Sequence, residues 1–236
     1  MATTGALISL DDVERARERI GGRLHRTPLL SSATLSDQVG ADIRFKAELL
    51  QRTGSFKPRG VLNKLATLTE EEKQRGVISI SAGNHAQALA YASALEGIDA
   101  LVVMWQTASP MKIAAARGYG ATIDTEAADI PGAFERLDEL IESTGRTLVH
   151  PYDDPLVMAG QGTVGVENVL VSEDDLEEGF RFMYGRMKLA CELAGAATAA
   201  ALLAGKIPLE KGNTVAAVVS GGNVAPQTAA AILAGQ

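Results

Sequence analysis

A lysine set between an aromatic and a proline, in Gly54-Ser55-Phe56-Lys57-Pro58-Arg59-Gly60, is a candidate amine nucleophile. Proline is at home in the first turn of a helix, so the order of residues predicts a helix beginning at Lys57 or directly after it. A helix N-terminus carries partial positive charge and disfavours a second one. Dry surroundings disfavour it further, and both effects push a lysine toward its neutral, nucleophilic form. A Schiff-base lysine needs that setting. Taken alone, the stretch also fits a solvated lysine that happens to start a helix, which is the commoner case.

Two further loops offer complementary chemistry. Ser81-Ala82-Gly83-Asn84-His85 follows an apolar run and precedes a helical one. Its glycine permits close backbone approach, and amides at a helix N-terminus make a cradle for a carboxylate or phosphate. The same residues also fit a plain turn with Asn84 as a helix cap. Ser220-Gly221-Gly222-Asn223 places a hydroxyl at the exit of an apolar strand, which is equally the composition of an ordinary turn. In open α/β sheets ligands bind beyond the carboxyl ends of strands, where such loops lie.

The elements that position these loops follow from periodicity and punctuation. Helices are expected at 9–20 with Ser9 as cap, at 35–39 ended by Gly40, and at 58–67. Strands at 77–81, 100–104, 121–124 and 147–150 alternate with helices at 84–95, 110–117 and 131–143. That alternation implies βαβ units and a parallel sheet covered on both faces. A short strand is expected at 43–47. Later come helices at 157–170, 174–191 (after a capping box at Ser172–Asp175) and 196–204, then an isolated strand at 215–220.

Composition narrows the classes. The chain has 236 residues, 46% hydrophobic and 22% charged, as expected of a globular protein with one large or two small cores. A net charge of -7 and a pI near 5.1 give no basic face for nucleic acid or anionic membrane. Cys191 is the sole cysteine, so no disulfide framework forms and a reducing, cytoplasmic setting is expected. The first residues lack the pattern of a secretory signal, and the Ala-rich run 193–205 is too short to span a bilayer.

Five motifs then carry a resemblance: GSFKPRG, SAGNHAQALAYA, MKIAAARGYGA, HPYDDP with GQGTVG, and SGGN. In this order they resemble the pyridoxal-phosphate-dependent serine/threonine dehydratase family, which includes threonine ammonia-lyases and serine racemases. The match runs nearly continuously from about Leu10 to Glu167, including Arg26-Thr27-Pro28-Leu29, and resumes from about Val171 to Pro226.

The resemblance implies a two-domain α/β fold of the tryptophan-synthase-β type, with open parallel sheets and helices on both faces. Residues 1–70 and 153–236 are expected to form a large cofactor domain, incomplete near 168–171, and residues 71–152 a small α/β domain. Lys57 is similar to the lysine that binds pyridoxal 5'-phosphate as a Schiff base and moves protons. Phe56 matches the aromatic beside the cofactor ring, Asn84 the partner of its phenolic oxygen, and Ser220 the hydroxyl facing the pyridine nitrogen. Ser81, Ala82, Gly83, Asn84 and His85 match the loop holding the substrate carboxylate. Serine racemases carry a second serine where Ala82 stands, and its absence favours elimination on one face over racemisation. Leu193 replaces a usual proline.

The implied activity is an ammonia-lyase converting L-threonine or L-serine to a 2-oxo acid and ammonia. Expected partners are a small amino acid and no nucleic acid, membrane or metal, and a homo-oligomer is compatible with the pattern. One departure weighs against activity. Between Glu167 and Val171 the family has further βα units, with a glycine-rich loop for the cofactor phosphate, and a four-residue join cannot hold even one such unit. The alternative expectation is a non-catalytic deletion variant with weakened cofactor affinity.

Overall fold

The computed structural model describes residues 8–164 and 172–235. Its elements begin with α1 (Leu10–Ile20), β1 (Leu29–Ser31), α2 (Ala33–Val39), β2 (Asp42–Ala47), α3 (Pro58–Leu65) and α4 (Glu70–Arg75). There follow β3 (Val77–Ile80), α5 (Asn84–Glu96), β4 (Ala100–Trp105), α6 (Pro110–Gly118), β5 (Thr122–Ala127) and α7 (Ile130–Thr144). The remainder comprises β6 (Thr147–Leu148), α8 (Pro155–Gly162), α9 (Glu173–Phe182), α10 (Leu193–Leu203), β7 (Thr214–Val219) and α11 (Pro226–Ala234). By internal contacts the chain divides into two compact units, residues 1–24 with 57–163 and residues 25–56 with 164–236. This grouping keeps α3 and α8 with the sheet of residues 77–148, whereas the resemblance puts boundaries near 70 and 153.

The first unit is built on an all-parallel sheet of order β5-β4-β3-β6. All four residues of β3 are buried, because its side chains alternate between two covered faces. Val77, Val102 and Met104 join Val61, Leu62 and Leu65 of α3 and Leu89 of α5 on one side. Ile78, Ile80, Leu101 and Val103 meet Ala133 and Leu137 of α7 on the other. α3 and α8 approach at backbone distance: a Cβ on Gly160 would lie 2.5 Å from the Arg59 carbonyl oxygen, and one on Gly60 would lie 2.7 Å from that of Val157. α1 starts as expected, with a capping box between Ser9 and Asp12.

The second unit holds a three-stranded sheet of order β1-β2-β7, in which β1 is antiparallel and β7 parallel to β2. Ile43, Phe45, Phe180, Met183, Leu202 and Val219 fill its core. Thr27, from the Arg-Thr-Pro-Leu motif, donates its hydroxyl to the buried Glu48 carboxylate at 2.5 Å. The carbonyl of Thr27 accepts from Lys46 Nζ at 2.7 Å. Thr27 and Glu48 are both buried, and each needs such a partner to offset its lost hydration.

Several expectations need correction. The strand near 215–220 is not isolated, since all six residues of β7 pair with β2, from Asp42↔Thr214 to Ala47↔Val219. The helix expected at 157–170 closes at Gly162, and the join between Glu167 and Val171 lies outside the described residues. The helix expected at 174–191 ends at Phe182 and loosens into a π turn, Met183–Met187. Lys188 stops it there with a left-handed backbone, φ 57°. No apolar break warned of this in the sequence. The strand expected at 147–150 is only Thr147–Leu148. Among the described residues no helix is long and apolar enough to cross a membrane.

Candidate active site

Lys57 stands immediately before α3 with helical backbone angles (φ -55°, ψ -34°), and Pro58 occupies the first turn, as the residue order predicts. Its Nζ donates to the carbonyl of Pro151 at 2.9 Å. Burial lowers its pKa below the ordinary lysine value, because desolvation penalises the ammonium form. The shift runs in the direction of the neutral amine, and desolvation is its cause.

The second loop leaves β3 and enters α5. Ser81 N–H donates to the Val103 carbonyl at 3.2 Å, and Gly83 N–H donates to Ser81 Oγ at 3.2 Å. Gly83, not Asn84, is the residue before the helix, and Asn84 is its first member. A Cβ built on Gly83 would meet nothing within 4 Å, so space lies open in front of that helix end. Ala82 packs against the apolar core.

His85 is buried, and its Nε2–H donates to the Val149 carbonyl at 3.0 Å. That bond fixes the tautomer and leaves Nδ1 as an acceptor, buried and unpaired among the described residues. Burial pushes the ring's pKa down to about 3, the Val149 bond opposes the shift, and nearby Lys57 adds to it. A neutral ring with a lone pair on Nδ1 is a poor carboxylate receptor, so only the backbone N–H at this position suits an anion. The shift carries a stability consequence. The unfolded chain takes up this proton near 6.5 and the folded chain only near 3, so stability is complete above about pH 6.5 and falls as pH drops toward 3. Melting temperatures from pH 8 to pH 4 are expected to fall for this chain and to fall less steeply for His85→Gln, which keeps a donor for Val149. A residual slope comes from His150, which burial also shifts down. Asp12 and Asp175, held at about 2 by hydrogen bonds, act in a lower window.

In the second unit the two glycine-bearing motifs are laced together. Phe56 N–H donates to the Ser220 carbonyl at 3.1 Å, and Gly222 N–H donates to the Gly54 carbonyl at 3.0 Å. Ser55 and Gly221 form an antiparallel bridge. Asn223 Nδ2 donates to the Thr53 carbonyl at 2.9 Å. This holds Thr53 in a left-handed conformation (φ 62°), uncommon for a β-branched residue. Gly54 is also left-handed (φ 69°), and a Cβ there would lie 2.8 Å from Asn223 Oδ1. Ser220 Oγ, at the carboxyl end of β7, donates to the Ala194 carbonyl at 3.3 Å. Phe56, half-buried, ends this segment directly before Lys57.

Lys57 and His85 thus come within electrostatic reach inside the first unit, while Phe56 and Ser220 belong to the second. Reading residue types missed Pro151 and Asn223 as structural participants. The HPYDDP and SGGN motifs contained both, but a carbonyl has no signature in sequence. A surface cleft lined by Asp124, Glu126, Glu135, Arg136 and Glu139 contains none of the expected residues. Its Arg136 is already paired with Asp124 at 3.0 Å and Glu139 at 3.2 Å.

Comparison with known proteins gives this geometry its context. Residues 21–170 match the family described as pyridoxal-phosphate dependent enzyme. The catabolic L-threonine dehydratase TdcB of Staphylococcus aureus is 45% identical over 165 residues, covering 70% of this chain and 48% of the relative. An L-threonine ammonia-lyase of Thermotoga maritima is 45% identical over 161 residues, covering 68% of this chain and 40% of the relative. The chain therefore spans about half the length of the curated relatives it matches. Among solved structures, a threonine deaminase of T.th. aligns with a TM-score of 0.80 at 31% identity, covering 92% of this chain and 99% of that one. Serine racemase of Dictyostelium discoideum aligns at 0.85 and 29% identity, covering 93% and 100%. With motifs, sheet order and similarity in agreement, the chain belongs to the pyridoxal-phosphate-dependent enzymes, in their serine/threonine dehydratase family.

Proposed function

We propose that this chain carries the chemistry of an ammonia-lyase that eliminates water and then ammonia from L-threonine or L-serine. The observation that carries the reading is the desolvated amine of Lys57 at the start of α3. When bound, pyridoxal phosphate supplies an electron sink for charge developing at the substrate α-carbon. Lys57, as a neutral amine, would hold the cofactor at its aldehyde carbon and, when free, would accept the substrate α-proton at Nζ. The N-terminal amides of α5, with open space before Gly83, receive the substrate carboxylate. By the family pattern Asn84 would hold the cofactor's phenolic oxygen, and in the second unit Phe56 and Ser220 match the residues that would hold its ring and its pyridine nitrogen. After the β-hydroxyl leaves, the enamine product hydrolyses to a 2-oxo acid and ammonia.

The residues present fit the reactive end of the cofactor, where a desolvated amine is required. The phosphate end is less well provided, since the sequence contains no four-glycine loop. That feature favours a second reading: a non-catalytic variant that retains the lysine environment. Titration with pyridoxal phosphate separates the two. An imine absorbance band together with 2-oxobutanoate formed from threonine supports the lyase. No band at high cofactor concentration sinks it and leaves the non-catalytic reading.

A further inference from the structure

The segment between β6 and α8, residues 149–154, is tied down at both ends by other elements of its unit. Val149 N–H donates to Ile78 at 2.9 Å, and the Val149 carbonyl accepts from Ser79 Oγ at 2.7 Å as well as from His85. At the far end Asp154 Oδ1 accepts from Leu156 N–H at 2.8 Å and Val157 N–H at 3.2 Å. Asp154 Oδ2 pairs with Lys64 at 2.8 Å. Between these anchors lies Pro151, whose carbonyl receives the Lys57 amine. That carbonyl shares its peptide plane with the Tyr152 N–H, so whatever holds this N–H also aims the carbonyl.

The ring of His150 provides that restraint. Its Nδ1 accepts from Tyr152 N–H at 3.3 Å and from Asp153 N–H at 2.7 Å, closing a turn around Pro151. The Tyr152 ring meets it edge-on, with centroids 4.6 Å apart. Asparagine and aspartate side chains close turns in the same way, through an oxygen that accepts from backbone N–H groups further along. From this geometry we infer that His150 is a positioning residue, whose side-chain cap holds the Pro151 carbonyl over Lys57 Nζ and keeps water from that amine. The inference rests on Lys57 being the reactive amine of the proposed function.

Only a neutral Nδ1 can accept these two donors. Burial shifts the His150 pKa down, consistent with that form, while Asp153 and Asp154 oppose the shift and Lys57 assists it. Lys64, paired with Asp154, and the buried neutral His85 complete the titratable surroundings of the turn.

The test reads the amine without cofactor or turnover, so it stands apart from the fate of the lyase reading. Competitive labelling with acetic anhydride from pH 6 to pH 11, resolved by peptide mass spectrometry, gives the apparent pKa of Lys57 against the exposed Lys211. His150→Leu removes the acceptor, admits water, and is expected to move the Lys57 value up toward that of an ordinary lysine. Labelling at pH 8 then falls roughly tenfold for each pKa unit regained, a unit being a tenfold change in the equilibrium. His150→Asn, whose amide oxygen accepts from the same N–H groups, is expected to keep the value of the unaltered chain. Unchanged labelling in a folded His150→Leu overturns the inference, and so does a loss in His150→Asn matching that in His150→Leu. Should His150→Leu fail to melt cooperatively, amide exchange in the unaltered chain decides. Slowed exchange at Tyr152 and Asp153 supports the cap, and exchange at free-peptide rates overturns it.

Discussion

Lys57→Ala is expected to abolish the imine band and to cut 2-oxobutanoate formation by about 10²–10⁴-fold or more, since a positioned proton-transfer group alone contributes that much. The change removes both the nucleophile for the aldehyde and the base for the α-proton. Lys57→Arg should lose the band as completely, because a guanidinium does not deprotonate in proteins. Neither loss should reflect unfolding. Burial penalises the Lys57 ammonium, so deleting it relieves a desolvation cost while leaving the Pro151 carbonyl without this donor. These terms oppose each other, and the melting temperature of Lys57→Ala should move by only a few degrees. Turnover by Lys57→Ala within tenfold of the parent would assign the chemistry to another group.

How much of this was legible beforehand depended on whether the signal was local. Pro58 after Lys57 and Gly97 after α5 are backbone requirements written in single residues, and both ends formed as read. The βαβ alternation from Val77 onward gave the parallel sheet, because a strand buried on both faces is mostly apolar, and the one polar residue of β3, Ser79, donates its hydroxyl to the Val149 carbonyl. β7 was harder. Its partner β2 lies more than 160 residues earlier, and pairing in parallel over that distance leaves no hairpin signal. The expectation that β7 stood alone was reasonable from neighbours in sequence and mistaken in space. The same reason hid the Pro151 carbonyl and the bond from Asn223 to Thr53. A backbone acceptor is common to all residues, and only the fold selects which one meets a lysine or an asparagine. His85 shows the converse. Its place in the loop was read from the motif, but the tautomer that makes its ring an acceptor follows from Val149, which no motif specifies.

The largest stability effect is expected where two helices meet backbone to backbone at a glycine. A Cβ added at Gly160 of α8 would lie 2.5 Å from the Arg59 carbonyl oxygen and 2.6 Å from Gly60 Cα. These are backbone atoms of α3, which cannot swing aside as a flexible side chain would. Alanine in place of glycine favours a helix interior by up to about 1 kcal/mol. Overpacking of a close contact costs about 1–3 kcal/mol and occasionally more, and here the contact is backbone on backbone, so the cost should win. Gly160→Ala should therefore lower the melting temperature by roughly 2–4 °C for each kcal/mol lost. Gly118→Ala supplies the comparison, since it closes α6 with nothing within 4 Å of its Cβ position and should be neutral or mildly stabilising. The two variants make the same chemical change in helices, so a difference between them isolates the crossing of α3 and α8. Since Lys57 directly precedes α3, displacement of that helix should also raise the apparent pKa of its amine as water enters. A Gly160→Ala protein that melts at or above the parent temperature would mean that the helices can separate without cost, and that the start of α3 is not fixed by this crossing.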